Sequence, residues 1–167
     1  MALMYEDEPF LKTLNLGDSG VMIVRPPSTP KEDLSILFRS KEQQYRFNHP
    51  FQCGTNYKPP TNADVHVHPV NPKDIVVIAT DGVLDNLFNE DILKCIRKSR
   101  SSADSLDNLA ASTCIAKTAE MLSFNKGYDS PFAVNARGAG KNHPGGKPDD
   151  ITVIVAEVAK REDGPKL

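Results

Sequence analysis

The chain has 167 residues, 25% of them charged and 39% apolar, with a formal net charge of −2. This is an ordinary globular composition of single-domain size, and it offers no bulk electrostatic case for binding nucleic acid. No apolar run approaches the ~20 residues of a membrane helix, so no transmembrane segment is expected.

The first residues, Met1 to Glu8, are acidic. They resemble neither a secretory signal nor an Arg-rich transit peptide, so the chain reads as intracellular. Residues 13–17 and 20–25 are strand candidates around Gly17-Asp18-Ser19-Gly20, whose Gly and Asp tolerate a tight reversal. A hairpin is expected there. Pro26-Pro27-Ser28-Thr29-Pro30 is a turn-rich spacer, and Ser35 to Arg39 reads as another strand. Between Lys41 and Pro60 the residues Pro50, Gly54, Pro59 and Pro60 break any long element.

Asp64-Val65-His66-Val67-His68 alternates with period two. His66 and His68 therefore share a face in a His-x-His pattern that zinc sites use. No third ligand is evident, so a solvated or partner-facing strand is expected. The run 74–79 lacks alternation, which fits a strand covered on both faces. A helix from Asn86 or Asn89 to about Ser99 presents Ile92, Leu93 and Ile96 as an apolar stripe, with Lys94, Arg97, Lys98 and Arg100 near its solvated end.

A longer helix is expected over 104–123, capped by Asp104 or Ser105 and carrying Leu106, Leu109, Ala110, Thr113, Ala116 and Leu122 at helical spacing. Gly138 to Gly146, with Lys141 and Lys147, reads as a flexible flap near Asp149. A last strand follows over 150–158. The three cysteines, Cys53, Cys95 and Cys114, are scattered and odd in number. That argues against a disulfide framework and a zinc site, and makes Cys95 and Cys114 buried thiols. Strands first, then two helices, then a strand suit an α+β fold with helices on a largely antiparallel sheet. The divisions read from the chain are an extension over 1–12, a domain over 13–158 and a charged tail over 159–167.

Two strand ends carry the chemistry. Ile75-Val76-Val77-Ile78-Ala79-Thr80 stops at Asp81-Gly82, and Asp85 follows; Lys147-Pro148-Asp149-Asp150 leads into Ile151-Thr152-Val153. Carboxylates clustered at strand ends are suited to hard divalent cations.

Leu16-Gly17-Asp18-Ser19-Gly20, Ala79-Thr80-Asp81-Gly82-Val83-Leu84-Asp85-Asn86 and Gly146-Lys147-Pro148-Asp149-Asp150-Ile151-Thr152-Val153 together resemble the type-2C metal-dependent protein phosphatases. Glu42-Gln43-Gln44, Phe47-Asn48-His49-Pro50-Phe51-Gln52, Ser130-Pro131-Phe132-Ala133 and Gly145-Gly146 resemble that family's small eukaryotic subgroup with mitochondrial members. The resemblance runs over roughly 14–158 and covers the C-terminal part of the family's domain. It implies a partial sandwich of antiparallel sheets, with two helices packed on an outer face and N-terminal strands missing. It further implies Mn²⁺ or Mg²⁺ as cofactor and a phosphoprotein substrate. By resemblance, Asp81 and Asp149 are metal ligands, with Gly82 adjacent. Asp85 matches a weaker third-metal position, Asp150 lies behind the ligands, and Asp18 is a structural turn residue.

The departures are equally specific. The family's Asp-Gly-His-Gly motif, whose Asp bridges two metals, appears nowhere in the chain, and Lys41 stands where the subgroup usually has an acidic residue. No catalytic residue can be assigned on this basis. The expectation is a family member that does not complete its metal site alone, with the site possessing a metal only if it is functional. Three forms of that expectation stand: a fragment of a phosphatase, a non-catalytic phosphatase-like subunit of a larger and mitochondrial assembly, and a split enzyme completed by a second chain. A partner or a missing N-terminal segment is expected to cover exposed sheet.

Overall fold

The computed structural model describes residues 2–4, 9–29, 32–54, 62–101 and 105–160. Its strands are β1 (Ala2–Met4), β2 (Phe10–Asn15), β3 (Gly20–Arg25), β4 (Ser35–Arg39), β5 (Gln44–Arg46), β6 (His49–Pro50), β7 (Asp64–Pro69), β8 (Ile75–Ala79) and β9 (Val153–Glu157); its helices are α1 (Asp81–Leu84), α2 (Asn89–Lys98), α3 (Asn108–Ser123) and α4 (Pro131–Gly138). One antiparallel sheet has the order β4-β3-β8-β9 and a second has the order β1-β2-β7, with β5 and β6 forming a separate small pair. The expected α+β class with antiparallel sheets is what forms.

The larger sheet is buried on both faces, which explains the missing alternation in β8. Ile75, Val77 and Ala79 join Met22, Val24 and Val155 beneath Ile92, Ile96, Ala111, Ile115 and Ala119 of the helices. From the opposite face Val76 joins Val21 and Ile23 against Leu11, Val70 and Val158. Each fully buried Val or Ile contributes about 1.5–3 kcal/mol, so the strand leading to Asp81 is held firmly from both sides.

The expected hairpin at residues 17–20 does not form. β2 and β3 lie in different sheets, so the Gly-Asp-Ser-Gly turn is a crossover between layers. Gly17 has φ +101, and its N–H donates to Gln43 Oε1 while its carbonyl accepts from Gln43 N–H. The turn is thus tied to the segment before β5. β2 also starts earlier than expected, at Phe10, and pairs with β1.

Other boundaries shift for local reasons. α3 starts at Asn108, because Asp107 is the residue whose carboxylate accepts the Ala110 N–H; the alternative cap Asp104 lies outside the described residues, as do Pro59, Pro60 and residues 161–167. α2 starts at Asn89, with the Phe88 N–H donating to Asp91. Its basic end is not simply solvated, since Arg97 pairs with Asp33 and Glu90. Cys95 and Cys114, expected as thiols, form a disulfide. α2 packs on α3 with these two Cα atoms 5.6 Å apart, a proximity that spacing along the chain does not reveal.

The Gly138–Gly146 stretch, expected as a flap, is anchored at its C-terminal end, while residues 138–142 are exposed. Gly138 ends α4, and Gly145-Gly146 is wedged under the end of α3. A Cβ on Gly146 would lie 2.1 Å from the Leu122 carbonyl oxygen. Gly146 N–H donates to Asn125 O, and Ser130 Oγ donates to Gly145 O at 2.7 Å. α4 itself was signalled by Ser130-Pro131, an N-cap serine followed by proline in the first turn.

Candidate metal centre

β8 delivers Thr80 and Asp81 to the end of the large sheet, where α1 makes a single turn. Asp81 and Asp85 are four residues apart on that turn, so their side chains lie on one face. Asp149 arrives from the neighbouring strand. β9 pairs with β8 in the register Ala79↔Val153, and Thr80 prolongs the pairing beyond the strand ends. Thr80 N–H donates to Thr152 O, Thr80 Oγ1 donates to Asp150 O, and Thr152 N–H donates to Thr80 Oγ1, each at 3.0 Å.

This approach requires glycine at position 82, where a Cβ would stand 2.4 Å from the Asp150 carbonyl oxygen. One carboxylate oxygen from each of Asp81, Asp85 and Asp149 lies within 4.8 Å of the others, the only such group of acidic, His or Cys side chains among the described residues. Three hard oxygen donors converging on one point fit a divalent cation.

A cationic side chain already stands at that point. Lys147 Nζ lies 3.1 Å from Asp81 Oδ2, 2.7 Å from Asp85 Oδ2 and 3.0 Å from Asp149 Oδ2. The buried Phe132 ring covers another side, its centroid 5.0 Å from the ammonium. The Lys147 backbone is pinned by the fully buried Asn86. Lys147 N–H donates to Asn86 Oδ1 at 2.9 Å; Asn86 Nδ2 donates to Lys147 O at 2.8 Å and to Gly82 O at 2.9 Å.

The electrostatics follow from burial and these contacts. Burial pushes the Asp85 carboxyl up to about 6 against the opposing pull of Lys147. Burial also acts to raise Asp149, but hydrogen bonds from the Lys147 ammonium and the Asp150 N–H outweigh it and hold Asp149 below its usual range. Burial disfavours the charged form of Lys147, yet Asp85, Asp149 and Asp81 keep its ammonium above the ordinary lysine range.

The residues named from the sequence fall as follows. Asp81, Asp85 and Asp149 come together. Asp150 acts through its backbone, donating its N–H to Asp149 Oδ1 at 2.9 Å. Asp18 sits within electrostatic reach of the centre: burial, and then the charge of Asp81, raise its carboxyl. His66 and His68 share a face as expected, but that face meets Phe38 of the other sheet, at ring-centroid distances of 5.0 and 4.2 Å. His68 Nε2 also lies 3.0 Å from Thr13 Oγ1. His66 is nonetheless exposed and His68 half-buried, and Val65 and Val67 on the opposite face are exposed too, so the expected solvated strand holds except where the rings meet Phe38. Asn86 and the inward-turned Lys147 were not foreseen, because no local pattern marks a lysine two of whose three carboxylate partners are 62 and 66 residues away.

No protein-family model matches the chain. It is 38% identical over 165 residues to the protein phosphatase PTC7 homolog fig of Drosophila ananassae, covering 93% of this chain and 48% of that protein. The chain spans about a third to a half of the length of the curated relatives it matches. Among solved structures it superposes on the photosystem II phosphatase PBCP with a TM-score of 0.77 and 27% identity, over 94% of this chain and 62% of that one. The catalytic domain of the serine/threonine phosphatase PstP, solved with two manganese ions, shares the fold at a TM-score of 0.55 and 16% identity, over 95% of this chain and 57% of that one. Three ordered motifs, a sandwich with its acidic centre at the strand ends, and these relatives agree: the chain belongs to the type-2C metal-dependent protein phosphatase family, in its PTC7-like subgroup.

Proposed function

We propose that this chain supplies the Asp81, Asp85 and Asp149 carboxylates of a Mn²⁺- or Mg²⁺-dependent site that hydrolyses phosphoserine and phosphothreonine in proteins, and that it does not complete that site alone. The observation that carries this reading is the convergence of three carboxylates from two paired strand ends within 4.8 Å. A divalent ion held there supplies Lewis-acid charge stabilisation and lowers the pKa of water. Asp81 and Asp149 are the principal ligands, and Asp85 serves a weaker further site. The Asp150 N–H orients Asp149, and Gly82 lets the two strand ends close on each other. The second half of the reading rests on the absence of Asp-Gly-His from the sequence and on Lys41 beside Glu42.

A non-catalytic, phosphatase-like subunit of a larger assembly is the second reading. The ammonium of Lys147 at the centre favours it. So does the outer face of β7, where Val65 and Val67 are 49% and 59% exposed and suit a covering partner or chain segment. A mitochondrial location belongs to the same reading and rests on the subgroup resemblance; cell fractionation tests it. No helix among the described residues is long and apolar enough to cross a membrane.

Hydrolysis of p-nitrophenyl phosphate in millimolar Mn²⁺, with EDTA and Asp81→Asn controls, decides between the readings. No turnover from folded protein is the expected result. Metal-dependent turnover that disappears in Asp81→Asn would overturn the claim that the chain needs completion.

A further inference from the structure

We infer that Lys147 is a built-in counter-cation that holds the three carboxylates together in the metal-free protein and must leave before a divalent cation can enter. This rests on the metal-centre reading above. The ammonium contacts the same three carboxylates that converge there, at 2.7 to 3.1 Å. Ammonium and metal cannot share that point, because two cations a few ångströms apart in a partly buried site repel strongly.

The lysine is also placed to move in only one way. Its backbone is fixed on both sides by Asn86, and Pro148 follows it. Rearrangement is therefore confined to the flexible side chain, swinging from the carboxylates and the Phe132 ring toward solvent. The side chain retains 17% exposure. The consequence is an exchange of cations at one centre. Lys147 prevents mutual repulsion of Asp81, Asp85 and Asp149 when metal is scarce. It also sets a threshold of metal concentration for assembling the site.

Mn²⁺ binding by the full chain is measured by the electron paramagnetic resonance signal of free Mn²⁺, for the unmodified protein and for Lys147→Met and Asp81→Asn. Removing the competing cation is expected to tighten Mn²⁺ binding of Lys147→Met by roughly tenfold or more. A second measurement needs no variant. Acylation of Lys147 by an amine-reactive ester, read by mass spectrometry, is expected to be slow in EDTA and faster in Mn²⁺, relative to the other lysines.

Equal or weaker Mn²⁺ binding by a folded Lys147→Met, with binding abolished by Asp81→Asn, would overturn the inference and leave the metal centre standing. Protection of Lys147 that is unchanged at saturating Mn²⁺ would overturn it independently. If no form of the protein binds Mn²⁺, the metal-centre reading falls and the exchange falls with it.

Discussion

Asn86 and Lys147 are joined side chain to backbone by two hydrogen bonds, from Lys147 N–H to Asn86 Oδ1 at 2.9 Å and from Asn86 Nδ2 to Lys147 O at 2.8 Å. The amide fastens the segment that carries Lys147 and Asp149 to the end of α1. It is fully buried, so its loss leaves backbone groups without partners in a water-poor place.

Asn86→Ala is therefore expected to lower stability by about 2–3 kcal/mol. Urea denaturation measures this. Mn²⁺ affinity should fall together with stability, because Asp149 loses its fixed distance from Asp81. A variant with unchanged urea midpoint would show that the segment is held by other contacts.

Gly82→Ala tests the close approach of the two strand ends. The added Cβ would meet the Asp150 carbonyl oxygen at 2.4 Å, and backbone cannot give way as a flexible side chain can. A loss of about 2 kcal/mol is expected, with weaker Mn²⁺ binding by calorimetry. Gly138→Ala is the control, since nothing lies within 4 Å of the Cβ it would add.

The ion pair of Arg25 with Asp74 anchors β3 to the start of β8, through Nε–Oδ1 at 2.8 Å and Nη2–Oδ2 at 2.7 Å. Asp74 is 1% exposed and also accepts the Asn71 N–H, so it is the partner that cannot be lost cheaply. Asp74→Ala should cost about 3 kcal/mol, measured by chemical denaturation. The change should leave Mn²⁺ binding intact in the folded protein.

His68 supplies a pH dependence distant in kind from the metal centre. Burial, and then the neighbouring His66, lower its pKa below the ordinary 6.5. A histidine depressed in the fold binds fewer protons than in the unfolded chain, so stability is fully present above 6.5 and is lost as pH falls toward the folded value. The melting temperature should drop between pH 7 and pH 5, and His68→Gln should flatten that part of the profile. Nuclear magnetic resonance titration of the His68 ring gives the folded pKa directly.

The sequence by itself determined the class of fold, the doubly covered strand before Asp81, the α2 stripe and the three acidic motifs, because each is written in neighbouring residues. Strand periodicity, helix spacing and an Asp-Gly after an apolar run are local properties of the chain. Tertiary structure alone decided how these pieces meet. It turned Gly17 to Gly20 into a crossover between sheets, joined Cys95 to Cys114, and aimed His66 and His68 at Phe38. It also brought Lys147 among three aspartates. The physical reason is the same in each case. The partners lie on different elements, and their choice depends on how buried faces pack and on which charges are left to neutralise one another after packing.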